Sequence, residues 1–467
     1  MRALCAVILI GAYGTAAAAS EAQVVEAVKA ANRQAALALI EQHADVRATE
    51  PDGTTALHWA AFNRDADLVD RLLRAGADAN AANDYGSTPL AVAAVDADPV
   101  ILSLLLKAGA NVESANAEGE TALMVVARTG NVEAARLLLR RHANVNAAEQ
   151  WGGQTALMWA TAQQHPDMVE LLIKSGAKVN ARATVREWPR RITAEGRPKD
   201  LLRAGLTPLL YAAREGCIKC ARHLLAAGAD IDMPDPDGTT PLVIALLNLH
   251  FDFARVLIES GADVNRWDFF GRTPLYVAID MNALPRGGRA DLPPVDDTPA
   301  LAIAEMLLQR GANRNAQLKL RPPYRNVVND RGGDNLLSTG ATPLLLAAKV
   351  GDAEAITMLI KAGALLELPT ATGVTPLMAA AGMGHSFNPT RGRFKTDAQA
   401  LVAVRLLKEA GGKIDLQSGN GTTALHAAAS HGWNETIRYL VANGAALETR
   451  DEKGLTPIDY AAGKYER

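Results

Sequence analysis

A chain of 467 residues is about three times an ordinary single domain, and its 49 % apolar and 21 % charged residues exclude a disordered polymer. Aromatics at only 4 % beside abundant Ala argue against one large conventional core and favour thin, stacked helical layers. A formal net charge of −3 predicts no general attraction to nucleic acid or anionic lipid.

Residues 1–19 read as a targeting segment. Arg2 supplies a positive charge, an apolar run follows from Ala3 to Tyr13, and a small-residue stretch ends in an A-x-A pattern at Ala19. That is the layout of a cleaved secretory signal. The run is too short to span a bilayer. It lacks the polar alternation between Ala3 and Gly11 that an ordinary buried helix would show. No other stretch is apolar enough to cross a membrane, so the mature form is expected outside the cytoplasm, periplasmic or secreted, and not membrane-embedded. Residues 20–49 then predict a capping unit of two short helices, Ala22–Ala30 and Arg33–Glu41, with Ser20 and Gln23 placed for a capping box.

From Thr55 onward the chain is periodic. A Thr-(Pro/Ala)-(Leu/Ile) triplet begins at Thr55, Thr88, Thr121, Thr155, Thr207, Thr240, Thr273, Thr342, Thr375, Thr423 and Thr456, mostly 33 residues apart. A Gly sits two residues before the Thr, as Gly53 does before Thr55. About twenty residues after it comes Gly-Ala-polar, as in Gly76-Ala77-Asp78 and Gly311-Ala312-Asn313. In each unit Thr is placed to cap a first helix, with Pro or Ala at its first position. Paired alanines such as Ala60-Ala61 permit close helix approach, and a Leu-rich second helix is ended by a Gly able to turn left-handed. One such hairpin cannot bury both its faces, so stability must come from neighbours.

The unit D-x-x-G-x-T-P-L-x-x-A-A, then a Leu-rich helix, then Gly-Ala-Asp resembles the ankyrin repeat. Thr55-Ala-Leu-His58-Trp-Ala-Ala61 and Thr423-Ala-Leu-His426-Ala-Ala-Ala429 match its signature most closely. The resemblance implies an all-α solenoid of stacked helix-turn-helix units with short β-hairpin fingers, about twelve units spanning on the order of 120 Å. With the export signal it looks like the exported ankyrin proteins of bacteria. It also implies that partners are gripped by finger tips and by the inner helix face. On the fingers those positions carry Tyr85, Trp151, Trp267, Phe269 and Phe270. On the inner face they are the pairs Phe62-Asn63, Arg214-Glu215, Asp280-Met281, Lys349-Val350 and Ser430-His431. Trp59, Trp159 and Tyr211 fall at a position that is apolar in this family and are expected in the core.

The regular repeats occupy 50–181, 206–282, 341–383 and 398–467, with 299–317 as the second helix of an interrupted repeat. Insertions fill 182–205, 283–298, 318–340 and 384–397. The first, third and fourth insertions carry a summed charge of +8, the Pro-rich second carries −1, and the remainder is near −10. The basic insertions interleave Arg and aromatics: Trp188, Arg190 and Arg191; Arg321, Tyr324 and Arg325; Arg391, Arg393 and Phe394. That composition suits interface anchors. The competing reading is that basic loops merely solvate an acidic scaffold.

Chemistry has little to stand on. Cys217 and Cys220 form a C-x-x-C at the start of a second helix. They read as a structural disulfide, as two small core residues, or as a redox pair, though no βαβ context supports the last. Two cysteines are too few for a zinc site. His58 and His426 sit at the repeat's structural His position, and no Walker A, G-x-S-x-G, H-E-x-x-H or dinucleotide fingerprint occurs. The expectation is a monomeric, non-enzymatic scaffold without cofactor or metal, whose partner is a protein and not nucleic acid. The rival expectations are a secreted effector acting on a host protein, and a thiol-redox or small-ligand protein built on the C-x-x-C pair.

Overall fold

The computed structural model describes residues 23–187, 203–283, 296–322, 336–385 and 395–464, with the backbone of 191–192 and 199–200. The chain divides into two compact units. Unit 1 comprises Met1–Val185, Gly205–Ala212 and Lys219–Asp230, and unit 2 comprises Arg186–Ala204, Ala213–Ile218 and Ile231–Arg467.

In unit 1 the first helices Gln23–Lys29, Ala56–Phe62, Pro89–Asp96, Ala122–Thr129 and Ala156–Ala162 pack one on the next. The second helices Arg33–Glu41, Ala66–Arg74, Pro99–Lys107, Val132–Arg140 and Pro166–Lys174 form a second layer in the same order. In unit 2 the first-helix layer runs through Pro241–Leu247, Pro274–Ala283, Pro343–Val350, Pro376–Ala380, Ala424–Ser430 and Pro457–Ala461. Its second helices are Phe251–Glu259, Ala300–Gln309, Ala353–Lys361, Asp397–Glu409 and Asn434–Ala442. This is the stacked helix-turn-helix architecture the periodicity predicts.

The residues explain the elements. Thr55 and Thr88 accept hydrogen bonds from the amides of His58 and Ala91, closing the first turn of their helices. From Ala66–Arg74 onward one leucine of each of these second helices forms a solvent-free column: Leu72, Leu105, Leu138 and Leu172 in unit 1, and Leu257, Leu307, Leu359, Leu407 and Leu440 in unit 2. Each is worth about 1.5–3 kcal/mol of burial that one isolated hairpin would forfeit. Successive repeats are zipped by asparagine. The Asn80 side chain donates to the Gly109 carbonyl at 3.0 Å and accepts from the Asn111 amide at 2.7 Å. Asn146 and Asn265 repeat the pattern against Gly176 and Gly311. Only a side-chain amide offers a donor and an acceptor at that spacing.

The fingers are minimal hairpins. Thr49 with Thr55, Ala115 with Thr121 and Ala148 with Thr155 each form a single antiparallel bridge. Neighbouring fingers are joined by one backbone bond apiece, Asp84 N–H to Asp52 O at 2.8 Å, Ala117 to Tyr85 at 3.2 Å and Gln150 to Glu118 at 2.9 Å. In the first insertion Arg191–Ile192 pairs antiparallel with Lys199–Asp200.

Close finger stacking explains one glycine in particular. Gly340 has φ +90°, and a Cβ there would lie 2.8 Å from both Ala371 N and Thr370 Cα of the next finger. Gly109 has a similar φ of +87° but open space around it. Gly109→Ala should cost about 1 kcal/mol of left-handed strain. Gly340→Ala should cost about 3 kcal/mol, because backbone has to separate. Urea unfolding of the two variants checks this, and equal losses would contradict it.

Candidate partner-binding face

The exposed aromatics of unit 1 come from two elements of the repeat. Finger tips present Tyr85 and Trp151, each 67 % exposed. The first helices present residues four and seven positions after the capping Thr, which share one helix side by their spacing. In the Thr55 repeat these are Trp59 and Phe62, and in the Thr88 repeat they are Val92 and Val95. Phe62 is 63 % exposed, and its ring meets Trp59 edge-on at 5.7 Å. Val95 is likewise exposed, and Trp59 and Val92 are half-buried.

Trp59 and Trp159 therefore depart from the core expectation, whereas Tyr211 is buried as expected. The reason is volume. Neighbouring first helices approach through alanines, and an indole has no room between them, so it lies out over the helix toward its own finger. The Trp59 indole N–H donates to Glu50 Oε2 at 2.7 Å, and the Lys29 ammonium stands 5.3 Å over its ring while bonding Glu50 Oε1 at 2.5 Å. That carboxylate holds the Lys29 pKa above the usual lysine value. Arg128 lies over the Trp159 ring in the same way, at 5.5 Å. The phenol of Tyr211 accepts from the Gln154 side-chain amide.

In unit 2 the same helix side is closed. Ile244, Val277, Leu346 and Ala427, four residues after their Thr, are buried, as is Met281, which the sequence placed on the inner face. Ends of the insertions fold onto this unit. Leu318, Leu336 and Leu337 are buried, and a Cβ on Gly384 would lie 2.9 Å from Leu336. What unit 2 exposes is a finger cluster. Trp267 is 50 % exposed with the Lys319 ammonium 3.2 Å above its ring, and Phe269 meets Phe270 edge-on at 5.3 Å. Arg272 lies over Phe270 and is fixed by a buried ion pair to Asp268 at 2.6 Å. The structure thus gathers Trp267, Phe269 and Phe270 around Lys319, whose amide, like that of Leu320, bonds the Phe270 carbonyl, and exposed Arg321 follows next in the chain. Trp188, Arg190, Tyr324, Arg325, Arg391, Arg393 and Phe394 lie outside the described residues, as does the Arg191 side chain.

Sequence reasoning missed Lys395. It is 3 % exposed, and its ammonium donates to the carbonyls of Ala348 at 3.2 Å and of Ala379 and Ala380 at 2.7 Å. Burial and the nearby Lys349 push its pKa well down. Beside it His385, His431 and Trp433 form an aromatic cluster, and burial with the Lys395 charge lowers His385 to about 4. A basic residue at the end of an insertion gives no sequence sign of burial.

Cys217 and Cys220 are disulfide-bonded, Cys220 fully buried. Among the described residues no group of three or more His, Cys, Asp or Glu is placed to hold a metal, and no helix is long and apolar enough to cross a membrane.

Stacked two-layer helical hairpins with fingers on one edge and an open aromatic side define a repeat scaffold for protein–protein interaction. The family model for ankyrin repeats in three copies matches residues 24–116, 95–183, 209–317 and 398–466, and the single ankyrin repeat matches 339–371. The chain belongs to the ankyrin-repeat family. No curated protein matches it.

Proposed function

We propose that this protein is a non-catalytic scaffold that works outside the cytoplasm and grips a protein partner on the open side of unit 1. The observation that carries the reading is the exposure, in one unit, of the apolar stripe Trp59, Phe62 and Val95 and of the finger aromatics Tyr85 and Trp151. Exposed aromatics set among polar fingers have the composition of interface anchors. The finger cluster Trp267, Phe269 and Phe270 with Arg321 offers a second contact area. The Arg and aromatic residues of the insertions, Trp188, Arg190, Arg191, Tyr324, Arg325, Arg391, Arg393 and Phe394, are further candidate anchors by composition. Residues 1–19 supply the export signal, so the mature chain begins at Ser20.

The test is face-specific crosslinking in the native organism. A photoreactive phenylalanine at position 62 or 85 should give one discrete crosslinked protein, and the same group at Arg74, exposed on the second-helix layer, should not. Phe62→Ala with Tyr85→Ala should weaken recovery at least about tenfold, given the usual cost of losing aromatic anchors. Equal crosslinking from both faces, or full recovery with the double variant, overturns the assignment. Fractionation of the cells checks the location, and an N-terminal sequence that retains Met1 argues against the signal.

A further inference from the structure

The two half-buried tryptophans of unit 1 occupy the same repeat position, and each lies under a cation from the preceding first helix. At Trp59 the arrangement is complete. The indole N–H and the Lys29 ammonium converge on the two oxygens of one carboxylate, Glu50, at 2.7 and 2.5 Å. At Trp159 the carboxylate is missing. Glu149 holds the matching finger position, since its amide bonds the Gln154 carbonyl as that of Glu50 bonds Thr54. This finger is one residue longer, 149–154 against 50–54, and Glu149 turns inward. Its buried carboxylate accepts from the amides of Trp151 at 2.6 Å, Gly152 at 2.8 Å and Gln154 at 2.9 Å. Those bonds leave it nothing to offer the indole.

Two groups are thereby left without the partner their counterparts have. The Trp159 indole N–H is shut from solvent and has no hydrogen-bond partner among the described residues. Arg128 is exposed over that ring and makes no ion pair among the described residues. A buried donor left unmade costs about 1–3 kcal/mol, and a guanidinium beside it supplies the charge and fork geometry a carboxylate prefers.

We infer that Arg128 and the Trp159 indole form a carboxylate subsite that takes a glutamate or aspartate side chain of the bound protein. Glu50 on Trp59 and Lys29 is the template for the bound state. Arg128, an exposed and flexible side chain, swings from the ring toward the incoming oxygen. One carboxylate oxygen then accepts from Trp159 Nε1 and the other from the guanidinium. The inference rests on the reading of unit 1 as the gripping face, and it specifies that the partner is acidic where it meets this repeat.

The experiment uses the whole mature chain with 15N-labelled indoles, the Trp59 and Trp159 resonances being assigned from Trp59→Phe and Trp159→Phe. The probe is N-acetylglutamate amide, which carries only the side-chain carboxylate. Its isomer N-acetylglutamine, which carries only the α-carboxylate, is the comparison, with ionic strength held by chloride. The Trp159 N–H should shift downfield and saturate at millimolar N-acetylglutamate amide, while the Trp59 N–H, already bonded to Glu50, stays in place. Arg128→Gln should weaken the response at least about tenfold. Glu50→Gln should make the Trp59 resonance respond to the same probe.

No saturable shift, a shift unchanged in Arg128→Gln, or a Trp59 resonance still silent in Glu50→Gln overturns the subsite. A response to N-acetylglutamine alone overturns the side-chain assignment in favour of a chain terminus. Because crosslinking from position 62 does not depend on this pair, a silent titration with intact crosslinks removes the subsite and spares the scaffold.

Discussion

Lys395→Ala should lower the stability of unit 2 by about 3 kcal/mol, from lost hydrogen bonds and the cavity left behind. The lysine reaches from the end of the fourth insertion into the stack, where its three donors meet the carbonyls of Ala348, Ala379 and Ala380. Those carbonyls lie at the ends of the helices Pro343–Val350 and Pro376–Ala380, where Ala348 O and Ala379 O each accept one further bond, from the Gly351 and Gly382 amides at 3.2 Å. An ammonium there satisfies them and complements two helix C-termini at once. Three acceptors call for three donors, which the charged form has and a neutral amine lacks. Removing the side chain takes away three bonds, leaves Ala380 O without the donor it has now and empties the space against Gly351 and Trp433. Lys395→Met should lose less than Ala, since it keeps the apolar stem. Urea unfolding gives the total, and hydrogen exchange should show the loss concentrated in residues 343–350 and 376–380. Lys361→Ala, on an exposed helix end, should stay within about 0.5 kcal/mol. A Lys395→Ala protein as stable as the parent would show that the three bonds contribute nothing.

Acid should weaken the fold well before its carboxylates titrate. His385 is lowered to about 4 by burial first and then by Lys395, His431 and Lys349. An imidazole ordinarily takes its proton near pH 6.5. Between those values the unfolded chain binds a proton that the folded chain refuses, so stability falls as pH falls from 6.5 to 4 and levels off below. After discounting for partial exposure, His385 contributes on the order of 2 kcal/mol to that decline. His58, His426 and His431 are lowered by burial too and add with the same sign. At His58 the cause is visible. Nε2 donates to the Ser87 carbonyl at 2.9 Å, so Nδ1 is the acceptor for the Thr55 amide at 3.1 Å, and a second proton would evict that cap. Asp235 opposes the trend, because burial raises its pKa and favours folding as it protonates. Carboxylates held low, such as Asp96 beside Arg64, lose their contribution only at more acid pH. Urea midpoints at pH 7.5, 5.5 and 4.5 should fall in that order, and His385→Gln should flatten the slope by its own share. A protein equally stable at pH 4.5 and 7.5 would contradict both.

The repeat was legible in the sequence because each of its parts is a local requirement. Thr at the cap, Pro after it, left-handed Gly before the finger and Leu on the second helix all act within one hairpin. The leucine column from Leu72 to Leu172 followed from periodicity of the same kind. The finger aromatics Tyr85, Trp151 and Trp267 were legible for the complementary reason, since a hairpin tip has nowhere to bury a ring.

What a residue meets across repeats was not legible. Trp59 and Trp159 share a position with buried Tyr211, and the pattern alone assigns all three to the core. Whether an indole fits depends on the distance between neighbouring first helices and on which way a finger carboxylate turns, and one extra residue sends Glu149 inward where Glu50 reaches out. Val277 and Leu346 are covered although their counterparts Val92 and Trp59 are partly open. Lys395 is buried although its sequence neighbourhood is a polar insertion. The chain by itself determined that hairpins stack, because capping, turning and burial are set over a few residues. Only the tertiary structure decided which side stays open and which charges are enclosed, because both depend on contacts between groups in different elements, 9 to 47 residues apart for Trp59 and Lys395.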